Sequence, residues 1–250
     1  MKEPISGILV LNKPSGPSSR QALDQVAVLL PGVKMGHAGT LDPMASGVLV
    51  VCVGRATRLT PFVQRMPKEY EASLRLGQRS DTHDLESEVL DVPCASPIVR
   101  ESLESILARF HGDILQVPPR HSAVHIAGRR AYEWARAGRA VDLQPRPVHV
   151  ERINCTRFGY PEADLNILCS SGTYIRSLVR DIGDALGCGA VMTRLVRTRV
   201  GVFRLDEALD PTALSPATVR SALRPMRNAV HDLPALLVPP ERLEHMRHGR

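Results

Sequence analysis

The chain has 250 residues, of which 43% are hydrophobic and 23% charged, so it can bury a core and fits one large domain or one domain with an appendage. No segment approaches the roughly 18 consecutive apolar residues of a membrane span. The opening apolar run, residues 8–11, is too short for a signal peptide. The net charge of +6 makes a polyanionic partner plausible.

Cysteines are few and scattered. They are Cys52, Cys94, Cys155, Cys169 and Cys188, and no two form a CxxC pair. This spacing gives no visible zinc site, and an odd number of scattered cysteines favours reduced thiols and a cytoplasmic location.

Arginines concentrate in two stretches of the sequence. The first holds Arg129, Arg130, Arg136 and Arg139, and the second holds Arg176, Arg180, Arg194, Arg197, Arg199 and Arg204. Guanidinium groups suit phosphate oxygens and stacking on bases better than ammonium groups do. Charge alone leaves open the alternative of an ordinary solvated face.

In chain order, the first predicted elements are a strand, a helix and a second strand. Residues 7–12 predict a short strand closed by a Lys-Pro-Ser-Gly turn. A serine pair then caps a helix over about residues 20–30. Residues 36–43 follow neither period and lead into a buried strand over 48–53. A glycine-rich loop before a core strand is a typical place to hold functional groups on a rigid scaffold.

The later elements mix strands and helices. Residues 68–76 alternate between apolar and polar, which predicts a half-buried strand with Tyr70 on its apolar face. The others are a helix over 97–110 with Val99 on its apolar face, strands over 148–158 and 165–170, a helix over about 175–186, and a strand over 191–200. Because the order lacks a strict βαβ alternation, the predicted fold class is α+β.

Two constellations could carry chemistry. Asp42 precedes a proline in the glycine-rich turn, and Arg176 stands where the helix after Gly172 begins. Each has an ordinary alternative, since Asp-Pro pairs favour turns in any protein and a helix entrance often carries a surface arginine. The sequence has no P-loop, GxGxxG, HExxH or GxSxG motif, so no seat for a nucleotide, metal or flavin cofactor is visible.

Several blocks, taken together, resemble the TruB family of bacterial tRNA pseudouridine synthases. They are GILVLNKPSG at 7–16, KMGHAGTLDPMASGVLVVCVGRATR at 34–58, KEY at 68–70 with LGQ at 76–78, QVPP at 116–119 with SA at 122–123, GRRAYE at 128–133, and SGTYIR at 171–176 with LG at 186–187. Any one block could arise by chance. The full set stands in the family's order and extends to about Arg204.

The resemblance implies a pseudouridine synthase fold with a mixed, mainly antiparallel central sheet flanked by helices and loops. It also implies an isomerase that converts uridine 55 (tRNA numbering) of the T loop to pseudouridine in a flipped-base site, without a cofactor. Asp42 matches the family's catalytic aspartate, and Arg176 matches the arginine that favours its charged form. Whether this carboxylate attacks C1′ or removes a proton from C2′ stays open.

Further positions match residues that serve the family's active site. Tyr70 matches a catalytic tyrosine that stacks on the target base and is a candidate to take up the proton lost from C5. Substrate contacts are implied for His37, Tyr70, Tyr174 and Leu195, and supporting roles for Lys13 and Asp84. Ser87, His125 and Val196 depart from the family's usual glycine, lysine and arginine, and none is at a catalytic position.

The resemblance also implies a division of the chain. Residues 1–232 would form the catalytic domain, and 233–250 would begin a truncated or minimal PUA-type RNA-binding segment. Within the first, the arginine-rich stretch of about 121–142 is expected to be a mobile flap that closes over the T stem, with Arg129 and Arg130 supporting RNA contact. The expected partner is the T arm of tRNA, bound by a monomer and without a membrane.

Two other functions remain open at this point. A non-catalytic RNA-binding module or tRNA folding helper would keep the basic surface and would not need Asp42. A glycosidase-like enzyme would use Asp42 and Asp84, and these two carboxylates would have to flank the sugar.

Overall fold

The structure is a computed structural model that describes residues 5–94, 96–120, 122, 125–126, 129–130, 134, 143–239 and 241–243. Its strands, in chain order, are β1 (Gly7–Lys13), β2 (Met35–His37), β3 (Ser46–Val53), β4 (Lys68–Leu76), β5 (Gln78–Ser80), β6 (Val89–Asp91), β7 (Gly112–Gln116), β8 (His125–Ile126), β9 (Arg129–Arg130), β10 (Arg146–Gly159), β11 (Glu162–Cys169), β12 (Ala190–Val200) and β13 (Phe203–Arg204). The α-helices are α1 (Ser19–Ala27), α2 (Thr60–Arg65), α3 (Arg100–Leu107), α4 (Ile175–Ala185) and α5 (Pro216–Ser221).

One mixed sheet dominates the described part of the chain. Its strand order is β1-β3-β12-β4-β11-β10-β7, with β2 added on β3 and β13 on β12. All of its pairs are antiparallel except β3 with β12, which run parallel where Ser46 faces Val196. The predicted α+β class and the mainly antiparallel sheet are therefore confirmed.

Strand β3 is buried on both faces, which explains its unbroken apolar sequence. Val48 and Val50 pack in a cluster with Phe203, whereas Leu49 and Val51 pack in another cluster against α1. The loop that carries Asp42 connects β2 to β3, so it is attached to the most buried strand of the sheet.

Strand β4 lies at the centre of the sheet, between β11 and β12. Its alternating pattern is confirmed, since Tyr70, Ala72 and Leu74 are buried while Glu71 on the opposite face is exposed. The buried face of β4 packs in one cluster with α4, which brings this helix against the middle of the sheet.

Helix boundaries account for most of the differences from the sequence prediction. Helix α1 ends at Ala27 instead of continuing to about residue 30. Helix α3 begins at Arg100, and Val99 is its N-cap with 49% of its surface exposed, so the predicted place of Val99 on the apolar face is wrong. Residues 35–37, which follow no clear period, form a strand because they pair with β3.

The predicted flap at 121–142 lies mostly outside the described residues. Within it, β8 and β9 pair antiparallel, and Trp134 is helical. In the predicted PUA-type segment at 233–250, residues 233–239 and 241–243 are described, and the assignment of the segment stays a prediction. No helix among the described residues is long and apolar enough to cross a membrane.

Candidate active site

The loop between β2 and β3 is fixed by side chains from other elements. Ser19, at the first position of α1, accepts a hydrogen bond from the Leu41 amide at 2.8 Å and donates one to the Leu41 carbonyl at 2.9 Å. Ser19 is buried, so both backbone groups of Leu41 are satisfied away from water. The residue before Asp42 is thereby held at the N-terminus of a helix.

The other side of Asp42 is held by the turn after β1. The ammonium group of Lys13 donates to the carbonyls of Pro14, Pro17 and Pro43, at 2.8, 2.7 and 3.2 Å. The side chain of Lys13 is fully buried, and burial lowers its pKa to about 8. The supporting role predicted for Lys13 therefore has a geometric basis, because this cation joins the opening turn to the Asp42 loop.

Asp42 forms an ion pair with Arg176, with Oδ2 and Nε 2.9 Å apart. The Asp42 side chain is 34% exposed, whereas that of Arg176 is 5% exposed, so the carboxylate faces solvent and the guanidinium lies behind it. The structure thus brings together the two residues that the sequence marked as separate candidates, one on a loop and one on α4.

Asp84 lies behind Arg176. Its Oδ2 is 3.5 Å from Nη1 of Arg176, and its side chain is fully buried. Its Oδ1 accepts a hydrogen bond from the Glu86 amide at 2.9 Å, and Arg176 also donates to the carbonyl of Thr82 at 3.1 Å. One buried guanidinium is therefore held between an inner and an outer carboxylate.

The start of α4 is fixed by a side chain from β7. The buried amide of Gln116 accepts a hydrogen bond from the Tyr174 amide at 2.8 Å and donates to the Tyr174 carbonyl at 3.1 Å. Tyr174 is the N-cap residue of α4, two positions before Arg176. Gln116 also lines a small cavity of about 140 Å³ beside Tyr174.

Tyr70 is 7% exposed and faces Arg197 across the β4–β12 pair. Burial raises the pKa of its hydroxyl, and the nearby charge of Arg197 opposes part of that rise. The side chain is therefore a neutral phenol at neutral pH. Tyr70 belongs to the same buried cluster as Leu41 and Leu195, and the charge of Asp42 also acts on the pKa of its hydroxyl.

The remaining predicted substrate contacts lie on two other strands, β12 and β2. Leu195, on β12, packs in the cluster that contains Tyr70 and Leu41. His37 ends β2 directly before the loop and is half-buried. Their roles toward a substrate stay predictions. Arg129 and Arg130 form β9, and the structure describes their backbone but not their side chains.

Three residues that hold the site received no role from the sequence: Ser19, Gln116 and Arg197. Of the two serines predicted to cap this helix, the cap is Ser18, and Gln116 lies within one of the blocks that resemble the family. Arg197 is 2% exposed and donates to backbone carbonyls of the Asp42 loop. No local pattern marks Arg197 as buried, because polar and apolar residues do not alternate regularly along β12.

The second arginine stretch is a weaker basis for a phosphate surface than its charge indicated. Arg176 and Arg197 are buried. The others pair with carboxylates, namely Arg180 with Asp181, Arg194 with Glu71, Arg199 with Glu69 and Arg204 with Asp206. Much of this positive charge is therefore buried or neutralised by carboxylates of the same chain.

Comparison with known proteins points to one family. A family model described as TruB family pseudouridylate synthase (N terminal domain) matches residues 28–175. A second, described as tRNA pseudouridylate synthase B C-terminal domain, matches residues 176–243. Together these two models cover the loop of Asp42, the strand of Tyr70 and the helix of Arg176.

Curated relatives and solved structures agree. The chain is 45% identical over 217 residues to tRNA pseudouridine synthase B of Mycobacterium tuberculosis (strain ATCC 25618 / H37Rv), covering 84% of this chain and 73% of the relative. It is 42% identical over 240 residues to the protein of that name from Bordetella avium (strain 197N), covering 95% and 97%. A chain in the crystal structure of a Cbf5-Nop10-Gar1 complex superposes with a TM-score of 0.75 at 28% identity, covering 98% of this chain and 67% of that one.

Proposed function

The chain belongs to the TruB family of pseudouridylate synthases and is an isomerase, and we propose that it converts uridine 55 (tRNA numbering) in the T loop of tRNA to pseudouridine with Asp42 as the catalytic carboxylate. The observation that carries the proposal is the ion pair between the partly exposed Asp42 and the buried Arg176. The buried guanidinium places a fixed positive charge directly behind the carboxylate that would act on the substrate.

The proposed reaction moves one base on one sugar. The N1–C1′ bond breaks, the uracil turns, a C5–C1′ bond forms, C5 loses its proton and N1 gains one. Asp42 either attacks C1′ or takes the proton from C2′, and in both routes the carboxylate is returned unchanged. Because the atoms balance within the substrate, no oxidant or group donor is needed.

Arg176 orients the catalytic carboxylate in this proposal. It holds the outer carboxylate of Asp42 in one orientation, and it is itself held by the buried Asp84 and by the Thr82 carbonyl. Such fixed charges need no rearrangement when charge develops in the transition state. Asp84 therefore acts through Arg176 and not on the substrate.

In this proposal, four side chains receive the flipped uridine and fill the gap that it leaves in the RNA. They are those of Tyr70, Tyr174, Leu195 and His37. Extruding a base costs on the order of a few kcal/mol. Stacking on the Tyr70 ring would return about 1–3 kcal/mol of that cost. Since burial raises the pKa of Tyr70, we assign it stacking in its neutral form, and uptake of the C5 proton would first require its ionisation.

The geometry disfavours a glycosidase-like reaction. A glycosidase needs two carboxylates on opposite sides of the scissile bond, whereas Asp42 and Asp84 contact the same guanidinium and Asp84 is fully buried. A non-catalytic RNA-binding module is the remaining alternative, but that function would not explain why the partly exposed Asp42 is paired with a buried arginine.

The test is pseudouridine mapping on an unmodified tRNA and on a T-arm minihelix, with tritium release from [5-³H]uridine-labelled RNA. The proposal expects one pseudouridine at position 55, with one tritium released per conversion. A minihelix with cytidine at that position is the control and should release none. Binding without release would support the RNA-binding module, free uracil would support the glycosidase, and modification elsewhere would refute the T-loop assignment.

A further inference from the structure

Arg197 contributes an unusual set of hydrogen bonds to the active site. It lies on β12 and is 2% exposed. Its Nε donates to the Val48 carbonyl at 2.8 Å, its Nη1 to the Thr40 carbonyl at 3.3 Å, and its Nη2 to the Gly39 carbonyl at 3.1 Å. These acceptors lie on both sides of Asp42, so one guanidinium spans the loop.

The same guanidinium reaches Tyr70. Arg197 and Tyr70 are direct partners in the antiparallel pair of β12 with β4, and the Arg197 guanidinium lies close enough to the Tyr70 hydroxyl to lower its pKa against the larger, raising effect of burial. The loop and the tyrosine belong to different strands, β3 and β4, which are separated by β12. Arg197 is therefore the link across the intervening strand.

The backbone packing leaves little freedom around this link. Gly47 faces Arg197 where β3 and β12 run parallel. A Cβ at Gly47 would lie 2.3 Å from the Arg197 carbonyl oxygen, and Gly47 has a φ of 104°. The two backbones are thus in direct contact, so the guanidinium projects from a fixed base.

Burying this charge is costly unless every polar group finds a partner. Among the ion pairs formed by described residues, none includes Arg197, and its acceptors are the neutral carbonyls of Val48, Thr40 and Gly39. An apolar side chain would fill such a position without the desolvation cost. Arginine suits this position because its several N–H donors reach carbonyls in both the Asp42 loop and β3, which a single ammonium group could not do.

We propose that Arg197 is a positioning residue that fixes the distance between the Asp42 loop and the Tyr70 ring. The role rests on the proposed function, since it assumes that Asp42 and Tyr70 act on one uridine. Ser19 and Lys13 hold the loop from the side of α1 and β1. Arg197 holds it from the side of the tyrosine, so its loss should separate the two catalytic groups while leaving RNA contacts in place.

The first measurement is the single-turnover rate of pseudouridine formation at saturating T-arm minihelix. Because a displacement of about 1 Å can cost on the order of 100-fold in rate, Arg197→Met should slow the reaction by about that factor while the RNA Kd stays within about twofold. Arg197→Lys keeps the charge and most of the volume, and it should recover little of the rate because it lacks the fork.

Lys68→Met is the matched control. Lys68 is also a buried cation, but it donates to the carbonyls of Gln64 and Met66, which lie outside the Asp42 loop. It should lower the Tm by an amount similar to that of Arg197→Met and leave the saturated rate near that of the unaltered protein. Equal rate losses in both variants would overturn the proposal, because the effect would then be one of general stability.

A double-mutant cycle with Tyr70→Phe tests the link itself. Tyr70→Phe removes the hydroxyl that Arg197 contacts and keeps the ring. If Arg197 acts through this contact, the two substitutions together should cost less than the product of their separate rate losses. Multiplicative losses would mean that Arg197 acts independently of Tyr70 and would overturn the proposed coupling.

Hydrogen–deuterium exchange on the free protein separates this proposal from the proposed function. Arg197→Met, or Arg197→Lys if the first variant does not accumulate, should raise exchange in residues 38–47, and Lys68→Met should not. If the unaltered protein forms no pseudouridine, the proposed function fails, whereas unchanged exchange in the arginine variants would refute the anchoring role by itself.

Discussion

One buried cation, Arg176, contacts two carboxylates that differ in exposure, Asp42 and Asp84. The exposed Asp42 is available to a substrate, and the buried Asp84 holds Arg176 from behind. The segment that supplies Asp84 also supplies the Thr82 carbonyl and His83. The stability of this short segment therefore bears directly on the placement of Arg176.

His83 should make the protein less stable in mild acid. Burial, followed by the nearby charges of Arg180 and Arg176, lowers the pKa of His83 to about 4, while the Ser80 backbone and Asp84 oppose the shift. The unfolded chain binds a proton here near pH 6.5 and the folded chain near pH 4. The stability contributed by neutral His83 is thus fully present above pH 6.5 and is lost as the pH falls toward 4.

Chemical denaturation between pH 4 and 7 measures this effect. His83→Asn is the suitable variant, because His83 has a φ of 62° and asparagine tolerates that conformation. The variant should show a flatter dependence of unfolding free energy on pH. His149, which is half exposed and pairs with Asp113, provides the control substitution, and an unchanged slope in His83→Asn would contradict the assignment.

At the scale of elements, the N-terminus of α1 and the turn after β1 hold the Asp42 loop in place by hydrogen bonds. The carbonyls from Gly39 to Met44 all have partners, of which Ser19, Lys13, Ser15 and Arg197 supply side-chain donors. The Asp42 carbonyl accepts from the Ala45 amide within the loop. An irregular loop can be rigid when its polar groups are satisfied in this way.

The neighbouring residues Ser18 and Ser19 allow these hydrogen bonds to the loop to be tested. Ser19→Ala would leave a buried amide and a buried carbonyl of Leu41 without their partner, at a cost of about 1–3 kcal/mol in unfolding free energy. Ser18→Ala would remove the N-cap of α1 at a cost of about 1 kcal/mol. We expect both to lower the Tm and only Ser19→Ala to slow the saturated single-turnover rate. A matching rate loss in Ser18→Ala would mean that α1 as a whole, and not the Leu41 contact, matters.

The elements themselves could largely be predicted from the sequence. The alternation in β4 and the apolar run of β3 are local patterns, and the structure follows them. Strand β2 could not be predicted, because its three residues are ordered by pairing with β3. Arg197 was assigned to a charged surface because the sequence does not state which face of β12 the loop covers. The proximity of Asp42 and Arg176 likewise came from the family resemblance, since 134 positions separate them and no local pattern joins them.

On the scale of the whole molecule, the net charge of +6 overstates the positive charge that the arginines present to a polyanion at the surface. Several arginines of the second stretch are buried or paired with carboxylates. We therefore predict that contact with a polyanion depends more on the first stretch, to which Arg129 and Arg130 of β9 belong.

Neutralising that stretch should weaken RNA binding in a salt-dependent way. If Arg129 and Arg130 each contact one phosphate, Arg129→Ala with Arg130→Ala should reduce the slope of log K against log salt by roughly two counterions, at about 0.9 per phosphate on a duplex. The saturated rate should change much less. Arg75→Ala with Arg157→Ala is the control, since both arginines pair with carboxylates on the surface. An unchanged slope in the first pair would show that β9 does not contact the RNA backbone.

The central claim is that Asp42 carries the chemistry, and Asp42→Asn measured in single turnover on saturating tRNA tests it most directly. The substitution keeps the size of the side chain and removes its charge, so pseudouridine formation should be abolished while the tRNA Kd stays within about threefold, because phosphate contacts supply the affinity. Asp24→Asn, which alters an exposed carboxylate paired with Arg20, should keep full activity. Turnover by Asp42→Asn above a few per cent of that of the unaltered protein would contradict the assignment.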